Sequence, residues 1–320
     1  MGDPFARTEL DTNASTQATY PFDAVPDHAR PTAESRLDAA GPLATLHMNR
    51  RRLLGMGATA AAGAALSAPE TAFAQTAGES GLKYSDGIAA ARTMIVLRGN
   101  TAALQRRLPS GWELAPYAGD DLRGTSLRGA NMLVPFHEVY AVRTHDGRQT
   151  GLPQSSYVPF VSQARNTATG ALGHVHWFTY TEDPEAVPGK YRDGKLAQIT
   201  RSQTSTKQRR GETQVHETFS AVAEGGEIHL SLTYQQGGML IWATADKPNL
   251  PLYAAKDPNI VRWYLEDQVL NIVRSDPLKI DRVSEINLSV KGELSDVFDG
   301  SERIVAVVIQ RPYMRQVYVP

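Results

Sequence analysis

The chain has 320 residues, with 33 Lys and Arg against 34 Asp and Glu, a formal net charge of −1 and no cysteine. That balance excludes the net basic face from which nucleic-acid affinity comes, so no nucleic-acid partner is expected. Without cysteine there is no disulfide framework, and stability must come from packing.

Residues 1–47 are rich in Asp, Pro, Thr and Ala and lack apolar periodicity. They read as a disordered leader or as an upstream start. Met48 then opens a different pattern: Asn49-Arg50-Arg51-Arg52-Leu53-Leu54-Gly55, an uncharged Ala/Gly/Leu run to Ala68, and Ala72-Phe73-Ala74. A basic start, a short apolar run and a small-x-small end make a signal peptide, and the paired arginines point to the twin-arginine route. The run is too short and too rich in Gly and Ala to span a membrane, which takes about 20 apolar residues. Residues 48–74 are therefore expected to engage the twin-arginine export machinery, with cleavage leaving 75–320 as a single periplasmic or secreted domain.

From Arg92 onward the sequence reads mainly as strands separated by Gly, Pro, Asn and Asp. In chain order the predicted strands are Thr93–Leu97, Met132–Val142, His174–Tyr180, Gln214–Val222, Glu227–Tyr234, Met239–Thr244, Ile280–Val290, Ile304–Gln310 and Met314–Val319. Ile228, Leu230, Leu232 and Tyr234 alternate strictly, so one face of that strand meets a core. Gly225-Gly226 marks a hairpin. A short helix is predicted at Thr101–Arg107, stopped by Pro109. A second is predicted at about Asn259–Arg274, where Val261, Leu265, Val269, Ile272 and Val273 keep helical spacing. The fold class is α+β, a strand-rich barrel or sandwich.

The stretch His174–Ala197 carries the densest chemistry. Lys190, Arg192 and Lys195 lie within six residues, and mutual repulsion inside a partly desolvated cavity would depress an amine pKa. A nucleophilic lysine needs such a shift. A solvated basic loop is the alternative, as it is for Lys207-Gln208-Arg209-Arg210. Trp177 and Tyr180 fit a core.

Several blocks in order resemble the acetoacetate decarboxylase-like superfamily: Thr101–Trp112 with its Leu-Pro, Val134-Pro-Phe-His-Glu138-Val-Tyr, the acidic turn Tyr180–Lys190, Lys195-Leu-Ala, and the final strand pair through Arg311-Pro312. The resemblance covers most of residues 90–320. It implies a lyase acting on a small β-keto acid through a lysine Schiff base, with no cofactor, and a decarboxylase, aldolase or dehydratase outcome. It also leaves room for a homo-oligomer. Lys195 or Lys190 would supply the amine, Glu138 the facing carboxylate, and Arg92 and Arg192 the partners of the substrate carboxylate. Anchored on Leu196-Ala197, however, Gly194 stands at the place of the family's Schiff-base lysine. Either a shifted loop supplies the amine or the chain keeps the fold without that chemistry.

Two other classes use the same segment. His174, His176 and Glu182 are spaced near a cupin's first metal motif, though no second motif follows. A barrel holding a small acid without turnover is the third class. No phosphate loop or Gly-x-Ser-x-Gly elbow occurs.

If the paired arginines are the export address, Arg50→Lys with Arg51→Lys should leave uncleaved precursor in the cytoplasm. Fractionation with N-terminal sequencing checks this; mature protein in the periplasm would sink the routing.

Overall fold

The computed structural model describes residues 81–118, 127–152, 154–208, 212–244, 248 and 250–320. The leader, the export signal and Arg209-Arg210 lie outside the described residues.

Strands account for nearly all of the regular structure, as the β-branched and aromatic runs require. The first, β1 (Lys83–Arg98), extends the predicted Thr93–Leu97 in both directions and pairs antiparallel with β3 (Met132–Thr144) and β15 (Arg303–Val319). Helix α1 (Thr101–Arg107) forms where predicted. Asn100 Oδ1 accepts from the Ala103 amide at 3.0 Å, and Leu108 turns extended ahead of Pro109. After the short β2 (Trp112–Leu114), β4 (Ser156–Asn166) pairs with both β3 and β5 (Leu172–Thr181). Sequence patterning missed β4 because nearly every position on both its faces is buried and Pro159 interrupts it.

The predicted helix at Asn259–Arg274 is instead β12 (Val261–Ser275). It pairs with β15 on one side, and with β10 (Met239–Thr244), β11 (Leu250–Ala254) and β13 (Ile280–Asp281) on the other. The register shift at Gln268/Leu270 puts its extra residue in β15 and leaves the alternation of β12 intact, while that at Ile272/Arg274 puts one in β12. Val261, Leu265, Val269 and Val273 stand four apart, a spacing that fits a helical face as well as alternate positions of one strand face, and long-range pairing decides for the strand. The two final strands predicted around Arg311-Pro312 are one strand, β15. There the pair Arg311-Pro312 bulges opposite Ala91, since proline cannot donate to the ladder.

The ladders β4–β3–β1–β15–β12–β11–β5 close on themselves through β4–β5, giving a seven-stranded barrel. The short β6 (Gly194–Leu196) adds parallel to the end of β5. A separate antiparallel sheet follows the order β14 (Val283–Gly292), β9 (Gly226–Gln235), β8 (Thr213–Ala223), β7 (Gln198–Lys207). Its β8–β9 hairpin turns at Glu224-Gly225, with Gly225 at φ 80°, where a left-handed residue is required. This sheet lies on the outer wall of the barrel. Phe136, Phe160 and Tyr180 from the barrel share one buried cluster with Phe219, Leu230 and Leu232 from the sheet, and Trp177 is buried in it too.

Phe219 is buried edge-on against Phe136, with ring centroids 4.9 Å apart, whereas its neighbour Ser220 lies on the opposite face. Phe219→Ala should therefore cost about 3–5 kcal/mol, and Ser220→Ala should stay within about 0.5 kcal/mol. Urea denaturation of both variants measures the difference.

Candidate functional site

Closing seven strands into a ring gives each an inner row, every second residue facing the lumen. One end is filled by an apolar cluster including Met94, Val96, Leu133, Val161, Ile272 and Val308. Toward the other end the inner rows turn polar, and a cavity opens there with lining residues from every barrel strand. Its space for the centre of a water-sized sphere is about 60 Å³. A single water needs ~10–15 Å³ on that measure, so the cavity suits a small organic molecule. Pro135 and Pro159 also line it, and the β3–β4 ladder skips the stretch around them.

One wall is ionic. Glu266, from β12, accepts Arg315 Nε at 2.7 Å and Arg92 at 3.3 Å, all three side chains being at most 11% exposed. Arg92 also donates to Gln268 at 3.1 Å and to Gln310. Its guanidinium lies 4.7 Å over the Tyr313 ring, and Arg315 lies 4.7 Å over Tyr264. Burial alone would raise the Glu266 pKa, but the two arginines outweigh it and hold the carboxyl at about 2. Two fixed cations thus face one fixed anion among the lining residues.

Next to this ionic wall stand neutral donors and acceptors. His137 is the direct cross-strand neighbour of Arg92 and of Tyr157, on which its ring stacks at 4.2 Å. Its Nδ1 meets the Tyr313 hydroxyl at 2.8 Å, while Nε2 has no hydrogen-bond partner; neither have Tyr157 Oη and His174 Nδ1. Burial, then the Arg92 and Arg315 charges, hold His137 well below the usual imidazole range. Burial brings His174 down to about 4 against a smaller opposing pull from Glu266. Both rings are uncharged at neutral pH. Buried polar atoms left open at a cavity are where a ligand makes its bonds.

Of the residues expected from sequence, Arg92, His174 and His176 line this lumen. The others do not. Lys190 is 47% exposed and pairs with Glu185. Lys195 registers with Tyr180, which faces away from the lumen, and its ammonium donates to Glu293 at 2.8 Å. Arg192 is exposed. Glu138 lies on the outer wall and pairs with Arg201, which also binds the buried Glu217 between barrel and sheet. Glu182 accepts the Ser156 amide at 2.7 Å, while His176 is held by Asp193 and His174 by Tyr117. The cupin-like set is therefore not assembled, and among the described residues no three His, Cys, Asp or Glu side chains converge as metal ligands. Sequence reasoning missed His137, Tyr157, Glu266 and Arg315. The first was one residue away: in Pro-Phe-His-Glu, alternation sends His137 inward and Glu138 outward.

No family model and no curated protein matches the chain. Among solved structures it is similar in fold to acetoacetate decarboxylase-like proteins. One, an acetoacetate decarboxylase-like enzyme from Sphingomonas wittichii RW1, is 11% identical, with 75% of this chain and 91% of that one covered at a TM-score of 0.43. The enduracididine biosynthesis enzyme MppR complexed with pyruvate is 14% identical over 73% and 87%, at 0.41. The acetoacetate decarboxylase of Legionella pneumophila is 10% identical over 74% and 85%, at 0.39. The chemistry of the lumen rests on this chain's own residues.

The shifted groups make stability pH-dependent in a definite direction. His174 is neutral in the fold down to about pH 4, whereas in the unfolded chain it takes up a proton below about 6.5. Its contribution is present above pH 6.5 and is lost as the pH falls toward 4. Glu266, depressed to about 2, adds a second loss below about 4.5. Urea denaturation at pH 7.5 and 4.5 should show a drop of which His174 supplies about 2–3 kcal/mol. His174→Gln should remove that part of the drop.

Proposed function

We propose that the lumen binds one small carbonyl acid, with its carboxylate at Arg92 and Arg315 and its carbonyl oxygen at the His137–Tyr157 wall. The observation that carries this reading is the buried ionic wall: among the described lining residues two arginines, Arg92 and Arg315, share the one carboxylate of Glu266. A buried charge without a partner is costly, and one carboxylate supplies the partner. The groups beside the arginines, His137 and Tyr157, are neutral, so the rest of the ligand is an uncharged hydrogen-bonding group rather than a second carboxylate. Among the described residues the lumen lining contains no lysine. The bound acid is accordingly held without a Schiff base, and the reading favours a binding protein or a lysine-free enzyme over the imine lyase implied by resemblance. With the export signal, its place of action is the periplasm or the exterior.

Calorimetric titration of the mature chain with pyruvate, 2-oxobutanoate, acetoacetate, propionate and succinate tests it. The oxo acids should bind, succinate should not, and Arg92→Met or Arg315→Met should weaken binding at least ~10-fold, the loss of a charge-assisted pair worth about 1.5–3 kcal/mol. Borohydride added to the complex should leave the protein mass unchanged. A stable adduct, or binding indifferent to both arginines, would reject the reading.

A further inference from the structure

We propose that His176, positioned by Asp193, is a proton acceptor of the lumen and exchanges the protons on the carbon beside the carbonyl of the bound acid. This rests on the lumen reading above but on different residues. His176 and Asp193 are each 2% exposed, and Nδ1 lies 2.8 Å from Asp193 Oδ2. In the tautomer in which Nδ1 donates to the Asp193 carboxylate, Nε2 is left with its lone pair. Thr179 Oγ1 lies 2.6 Å from that nitrogen, and in the same tautomer its hydroxyl is the donor. His176 is thus the lumen imidazole whose partner fixes it as a base.

The backbone is bent to bring this about. Lys190 and Arg192 adopt φ of 46° and 63°, a region non-glycine residues rarely occupy. Between and after them, Tyr191 and Asp193 are buried, and both meet His176: Tyr191 stacks on the ring at 4.4 Å and Asp193 holds Nδ1. The cationic loop therefore turns its charges to solvent and supplies the packing and the carboxylate that orient an imidazole. Left-handed residues on both sides of a buried tyrosine are strain with an identifiable purpose.

In the reaction, the C–H proton passes to His176 Nε2, displacing the Thr179 hydroxyl. The C–H electron pair forms a carbon–carbon double bond as the carbonyl π pair moves onto oxygen, and the enolate oxygen is held at the His137–Tyr157 wall. The imidazolium is stabilised by Asp193, and the same nitrogen returns a proton equilibrated with solvent. No σ bond other than C–H is broken, the carbonyl π bond is restored on reprotonation, and nothing is oxidised.

Proton NMR of pyruvate and 2-oxobutanoate in D2O follows the exchange, with ligand affinity of each variant measured in parallel by calorimetry. Wild-type protein should accelerate loss of the C3 proton signal, and protein treated with borohydride in the presence of ligand, then desalted into fresh ligand, should keep that activity. His176→Gln should lower the rate ~100-fold or more, and Asp193→Asn similarly, each with dissociation constants within about threefold of wild type. Thr179→Val should retain exchange. A purely structural role for Asp193 would move affinity or melting temperature together with rate; a rate loss at unchanged affinity would not follow from it. Binding without exchange, or exchange unaffected in Asp193→Asn, overturns this inference and leaves the lumen reading standing. Exchange lost on borohydride with a mass adduct overturns it in favour of an amine, and absence of binding overturns both.

Discussion

Closure of the barrel is the constraint on which the rest depends. The β4–β5 ladder joins the ends of a row of strands and leaves every barrel strand with an inside and an outside. From then on, a one-residue difference in position separates a ligand-facing group from one facing the second layer. His137 and Glu138 are the clearest pair: the first stacks on Tyr157 at the cavity, the second meets Arg201 outside. Lys195 is excluded from the lumen by the same rule, because its register partner Tyr180 packs outward.

The outer sheet completes the barrel's structure. A barrel wall with apolar residues on both faces is soluble only if one face is covered, and β7, β8, β9 and β14 cover it with Phe219, Leu230 and Leu232. The layers are also tied by polar contacts. Glu217, 1% exposed, accepts Arg201 and Thr93, each at 2.9 Å, and pairs with Arg311. With the carboxylate satisfied from both layers, the ion cluster fixes the relative placement of sheet and barrel without leaving a buried charge unpaired. Glu138 belongs to this cluster rather than to the cavity.

Inside, electrostatics and packing divide the lumen along its length. The apolar end is close-packed, and the polar end holds charges that need one another. Glu266 keeps two guanidiniums buried, and their combined field, with burial, keeps His137 uncharged beside them. The result is a cavity in which charged groups stand beside neutral ones, which distinguishes the carboxylate of a small ligand from the rest of it. The strained segment from Lys190 to Asp193 adds a third element, an imidazole with a carboxylate behind it.

The sequence by itself determined the strand-rich class, most strands with strong alternation, the short helix after Asn100, and the hairpin at Gly225, because each is written in local periodicity or turn chemistry. It also marked Arg92, His174 and His176. It did not determine β12, where apolar residues four apart fit a helix as well as a strand, nor β4, whose two buried faces leave no alternation to read. Tertiary structure alone decided which charges meet: Glu266 and Arg315 lie 49 residues apart, and Arg92 is 174 from Glu266. No local pattern encodes such pairing. The cationic loop shows the same limit, since its composition suggested an active amine, while the left-handed backbone at Lys190 and Arg192 turns those side chains out and Tyr191 and Asp193 in.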